Sequence, residues 1–278
     1  MKASGNFNAF RVMAWKELTI LARYPVEFVA SFGRIFLIVA IFSLAGKMFF
    51  EGRPASAAGG MAAPASGVVI YGFVLYMFLS DTLWTIGYAV RQEQLQGTLE
   101  QLYLTPVSKL ISLVARVTNT LVWNGILTLA AAALMVAIIG RSPVQNPWLG
   151  AYLLIMALAG TFGVGFAFAA LSLRLRETAQ TVANFLQFGL MILCANFFPF
   201  SALPPWVVNI SRLIPLAYGV DAFRSTLMGY PPGFPELAPI QAEVVIVTLF
   251  GVGMPLLGYW LYRRAELHAR QQGSLSMY

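Results

Sequence analysis

The sequence predicts an all-α integral membrane protein with six transmembrane helices, and three observations carry that prediction. Of its 278 residues 59% are hydrophobic and only 10% charged, whereas a typical soluble domain is about 25% charged. Six apolar runs, 28–50, 68–90, 117–139, 148–173, 179–198 and 244–262, reach the roughly 20 residues that a helix needs to cross the hydrocarbon core. The cations also alternate across these runs. With both termini cytoplasmic, thirteen Lys and Arg fall on the inner side and five on the outer, as the positive-inside rule requires. The chain therefore reads as one membrane domain, 1–278, multi-pass in the inner (plasma) membrane with both termini in the cytoplasm.

Ahead of the first run, Phe7, Phe10, Ala14, Leu18 and Leu21 share one helical face, with Arg11, Lys16 and Glu17 off it. This spacing predicts an amphipathic helix over 7–21 lying in the interface. No compact apolar run and small-residue cleavage site follow the first charges, so a signal peptide is not expected. Gly52 to Gly67 is rich in Ala, Gly, Ser and Pro without periodicity and reads as a flexible loop.

The segment 91–108, RQEQLQGTLEQLYLTPVS, joins the second and third spans. Gly97 interrupts the incoming helix, and Thr98 with Gln101 has capping-box spacing. Thr105 and Pro106 form a cap and first-turn pair that starts the next long helix. Between the two starts, Leu95, Leu99, Leu102 and Tyr103 fall at helical spacing and leave Glu93 and Glu100 for the other side. The result is a short foot with one apolar and one acidic face.

The stretch from 93 to 106, Glu-x-x-x-Gly-Thr-Leu-Glu-x-Leu-x-x-Thr-Pro, resembles the cytoplasmic coupling segment of the ABC type-2 permeases, the membrane subunits of ATP-driven exporters. The resemblance implies that Glu93, Gly97, Thr98, Glu100, Thr105 and Pro106 meet an ABC ATPase subunit. That nucleotide-binding subunit would hold ATP and Mg. It also implies a second permease copy or a paralogue beside this chain. An interfacial helix at the N-terminus fits the same family.

Between the fifth and sixth spans, 199–239 holds eight of the fifteen prolines, which argues against a spanning helix there. Two short helical patterns lie between them, 205–214 and 216–228, the second stopped by Gly229. Both are too short to span and are expected to re-enter the outer leaflet, provided protein satisfies their backbone groups. FFPFSALPPWVVNISRLIPLAYGVDAFRSTL resembles the family's segment after its fifth span. Asp221 and Arg224 stand at i, i+3 and predict a local salt bridge.

Polar groups inside the spans are the candidate site residues, since an ionised side chain at a helix centre costs about 2.5–3.5 kcal/mol on insertion scales. Arg34 in the first span and Asp81 in the second are expected to pair, with Thr82 or Thr85 as a lesser partner for Asp81. The pair serves either as a structural tie or in a substrate or proton role. Gln180, Asn184, Gln187 and Met191 recur at steps of four, three and four on the fifth span. That stripe lines a translocation pathway or bonds to neighbouring helices. Asn124, with Thr128 one turn on, poses the same alternative on the third span. Thr161, Gly165 and Ala169 predict a close-packing face on the fourth.

What the chain lacks narrows its function. No Gly-x-x-x-x-Gly-Lys-Ser/Thr loop is present to cradle phosphates, so no cofactor is expected in this chain and it is not expected to be an enzyme by itself. There is no Gly-x-Ser-x-Gly, no His-Glu-x-x-His and no pair of carboxylates within the spans. One Cys, Cys194, and one His, His268, leave no disulfide framework and no metal site. The net charge of +7 is spread over segment ends, so no nucleic-acid surface is expected. The lipid bilayer is the partner of these surfaces.

The expected function is that of an exporter permease for an amphipathic or hydrophobic substrate, drug- or lipid-like, driven by ATP hydrolysis in the separate subunit. Export of a polysaccharide or lipid-linked glycan is the alternative within the class. An ATP-independent scaffold or a secondary transporter is the alternative outside it.

Overall fold

The computed structural model describes residues 62–82, 84, 121–126, 145–175 and 178–271, together with single helical positions at 12, 15, 19, 23, 29, 30, 33 and 37. Every regular element among the described residues is helical. We label the longer ones α1 (Ala62–Thr82), α2 (Pro147–Leu175), α3 (Ala179–Leu193), α4 (Pro205–Ser211), α5 (Pro215–Met228) and α6 (Ile240–Gln271). The foot at 91–108 and most of the first and third spans lie outside the described residues. Val12 and Trp15 are exposed helical residues, in the stretch where the interfacial helix was expected.

Among the described residues two helices are long and apolar enough to cross a membrane, over Pro147–Ser172 and Ile240–His268. They pack along their length. Beside Gly163 a Cβ would meet the Met254 carbonyl and the Pro255 nitrogen, and beside Gly258 it would meet the Gly163 backbone. The contact therefore depends on backbone meeting backbone, which only small residues permit. It lies at Gly160 and Gly163, one step round from the expected face of Thr161, Gly165 and Ala169. Thr161 is buried and donates to its own helix at Leu158 O, 2.7 Å.

Contacts advance together along the two helices: Tyr152 Oη lies 2.7 Å from Thr248 Oγ1, Gly251 packs on Met156, and Gly258 on Gly163. So α2 and α6 run parallel. Parallel helices in one membrane require an odd number of crossings between them.

Two element boundaries differ from the sequence reading. α1 starts at Ala62, inside the segment read as loop, because its Pro64 falls in the first turn where no N–H is needed. α3 stops at Leu193, five residues before the apolar run ends. There the chain turns over 194–197, with Ala195 at φ 48°, and the Asn196 carbonyl packs against Gly72 of α1, where any Cβ would collide with it.

The two short helices follow their local signals. α4 has Pro205 at its start, and α5 has Pro215 at its start and Gly229 at φ 75° as its left-handed cap. α5 is buried on almost every side, wedged against α1, α2 and α6. Its Phe223 ring meets Tyr71 of α1 edge-on at 6.1 Å.

Candidate functional site

Because α5 is buried all round, its charges have no water to face and must find partners in protein. Asp221 and Arg224 are both fully buried. Arg224 donates from Nε and Nη2 to Asp221 Oδ1 at 3.2 and 3.1 Å, which bears out the i, i+3 spacing. Its Nη1 reaches further, to the carbonyls of Ala195 and Phe198 at 3.2 and 3.1 Å. Those carbonyls belong to the turn in which α3 ends, so the guanidinium satisfies backbone that no helix serves. The Phe200 and Phe234 rings flank it at 4.9 and 5.4 Å.

Asp221 Oδ2 accepts the backbone N–H groups of Glu236 and Leu237 at 2.7 and 2.8 Å. Glu236 Oε2 accepts from Ser201 N at 2.8 Å and stands 3.9 Å from Arg224 Nη2. Burial pushes the Glu236 carboxyl above the usual range, an effect that Arg224 partly opposes. Glu243, in the first turn of α6, is fully buried as well, and its Oε1 accepts from Ala238 N at 3.2 Å. The cluster thus ties the loop 231–239 to α5, to the turn after α3 and to α6. Beside it opens a cleft of about 540 Å³, lined in part by Phe200, Asn209, Arg212 and Glu236.

The stripe on α3 divides. Gln187 is a fully engaged amide: it accepts from Trp84 Nε1 at 2.8 Å and donates to Tyr76 Oη and Ser80 Oγ at 3.0 and 2.8 Å. Asn184 is exposed, Met191 is half-buried, and the side chain of Gln180 lies outside the described residues. Asn184 stands at the edge of an open face formed by Thr181, Phe185, Phe188 and Ile192, with Phe185 81% and Phe188 57% exposed. So α3 has one edge bonded to α1 and one face without a neighbour among the described residues.

Other expected residues are placed separately. Asp81 is half-buried near the end of α1; its expected partner Arg34 lies outside the described residues. Thr82 Oγ1 makes no hydrogen bond, which removes Thr82 as that partner. Asn124 is fully buried with neither amide atom bonded. Glu93, Gly97, Thr98, Glu100, Thr105 and Pro106 lie outside the described residues. Among the described residues no group of His, Cys, Asp and Glu is arranged to hold a metal ion.

Sequence reading missed Glu236 and Glu243, which join Asp221 from 15 and 22 positions away. A signal existed: three of the eleven acidic residues of the chain fall between 221 and 243. It also missed Tyr76, Ser80 and Trp84, a polar series at steps of four that faces Gln187.

No curated protein matches the chain. The profile of the family described as ABC-2 family transporter protein matches residues 58–261, which include all six labelled helices up to the last turns of α6. With that match over most of its length, the chain belongs to the ABC-2 transporter family, as a membrane permease.

Proposed function

We propose that the chain is the permease subunit of an ABC exporter that moves an amphipathic or hydrophobic, drug- or lipid-like substrate. Both termini are cytoplasmic in this reading, and a separate nucleotide-binding subunit hydrolyses ATP with Mg. Its movement reaches the spans through the foot at 91–108, where Glu93 and Glu100 face it. A second permease copy or a paralogue completes the conduit.

The observation that carries this reading is the open face of α3. Thr181 and Asn184 beside Phe185, Phe188 and Ile192 make a surface with a few hydrogen-bonding groups set among large apolar ones. Such a surface suits a substrate with a small polar part and a large apolar part. A glycan, with a hydroxyl on nearly every ring carbon, would leave most of its polar groups unmatched there. Gln187, held by two bonds to α1 and one to Trp84 just beyond it, gives that face a fixed edge.

The test is reconstitution with the ATPase subunit. Glu93→Arg or Glu100→Arg is expected to abolish export and substrate-stimulated ATP hydrolysis while the chain still inserts and assembles. Asn184→Cys is expected to react with small thiol reagents at a rate that changes with the bound nucleotide. Normal export by the charge reversals removes the coupling role, and a nucleotide-independent rate at position 184 removes the pathway.

A further inference from the structure

The short helix α4 turns three different faces to its surroundings. Val207 and Ser211 are buried against the rest of the fold. Trp206, Ile210 and Leu213, at steps of four and three along α4 and the turn that closes it, are large, apolar and exposed. Between these two faces lie Val208, Asn209 and Arg212, which line the cleft of about 540 Å³ beside the buried cluster. Asn209 and Arg212 are one turn apart and so lie on the same side of α4. The loop 231–239 brings Glu236 to the same cleft.

The charges of the cleft limit what it can hold. Among the described residues the exposed Arg212 makes no ion pair, although Glu236 lines the same space. Its guanidinium is a planar fork of N–H donors that matches a phosphate, and the Asn209 amide adds donors beside it. Glu236 disfavours a ligand of net negative charge and can accept from an ammonium. The exposed aromatics give the depth. Gln145 N donates to Leu227 O at 3.2 Å, so the start of α2 meets the end of α5. Trp148 and Tyr230 are exposed at that meeting point, and the loop that follows Tyr230 runs past the cleft into α6. Trp and Tyr collect where membrane meets water, and Trp206 on α4 adds a third such ring. The cleft therefore lies at headgroup depth, with an apolar helix face beside it.

The geometry points to a headgroup site for a membrane phospholipid: its phosphate on Arg212 and Asn209, its acyl chains along Trp206, Ile210 and Leu213, and an amine-bearing headgroup in the cleft toward Glu236. Each part of such a lipid meets a group of its own kind. The phosphate takes a guanidinium that no carboxylate holds, the ammonium takes an acceptor, and the chains cover apolar side chains that the fold leaves bare. A lipid seated there would tie α4 to the loop 231–239 from outside, as Arg224 ties the same loop from within. This inference rests on the chain being a membrane protein and does not depend on which substrate it moves or in which direction.

Photocrosslinking reads this site alone. The full chain, with Leu213 replaced by benzoylphenylalanine, is placed in nanodiscs of equal phosphatidylethanolamine and phosphatidylglycerol, and the lipid adducts are identified by mass spectrometry. The ethanolamine lipid is expected to predominate in the adduct. Adding Arg212→Gln should lower that adduct about tenfold, the effect of losing one charge-assisted hydrogen bond, while Arg212→Lys keeps part of it. Since Arg212 has no ion pair among the described residues, Arg212→Gln should melt like the unsubstituted chain in lipid-free detergent. Excess inorganic phosphate, added with Arg212 in place, should leave the adduct unchanged. Equal capture of the two lipids, or an adduct that survives Arg212→Gln, would mean ordinary bulk lipid contact and overturns the site. Loss of the adduct to inorganic phosphate would mean a site for a free anion and overturns it as well.

Discussion

Two regions within a few helices of each other treat polar groups in opposite ways. Around Arg224 every part of the guanidinium is engaged, and Asp221 accepts four N–H bonds in full burial. On α3, Asn184 and Thr181 stand exposed beside Phe185 and Phe188. The first region is built to remain as it is. The second leaves its surface for something else to cover, and a transporter needs both: a frame that holds its shape and a face that meets cargo or a second subunit.

The comparison breaks most severely at Arg224. Arg224→Met fills the space but leaves the Asp221 carboxylate and the Ala195 and Phe198 carbonyls without their donor. Breaking a buried pair from one side costs about 3–5 kcal/mol, so the variant is expected to yield little monodisperse protein in detergent, by size-exclusion chromatography. A well-behaved variant would mean that the cluster is not a frame.

A smaller effect is expected at the seam between the two regions. Gln187→Leu removes three hydrogen bonds to Trp84, Tyr76 and Ser80. At about 0.6 kcal/mol per bond inside a membrane, the loss is about 2 kcal/mol, read as a lower melting temperature. A change in transport rate larger than that loss explains would place Gln187 in the pathway itself.

The smallest stability effect belongs to the open face. Phe188→Ser should change the stability of the isolated chain by less than about 0.5 kcal/mol, while transport or assembly falls. If stability drops as far as for Gln187→Leu, the face is packed in the isolated chain and the contrast fails.

What the sequence disclosed followed the range of the signal. Pro205, Pro215 and Gly229 act within one helical turn, and α4 and α5 start and stop where those residues place them. Asp221 and Arg224 are three residues apart and were legible for the same reason. Glu236 and Glu243 reach the same point only once the loop 231–239 has folded back, and no local pattern encodes that closure. The stripe on α3 was legible as a periodicity. Which edge of it would be bonded could not be read without the matching series of Tyr76 and Ser80 on α1 and Trp84 just beyond it, which supply the partners.

The early end of α3 has a consequence for the surrounding lipid. Fifteen residues rise only about 22 Å, against a hydrocarbon thickness of about 30 Å. The turn that follows is covered by α1 and α5, but the side bearing Phe185 and Phe188 has no such cover among the described residues. Wherever lipid met that side of α3, hydrophobic mismatch would draw the two leaflets closer together than along α2 or α6.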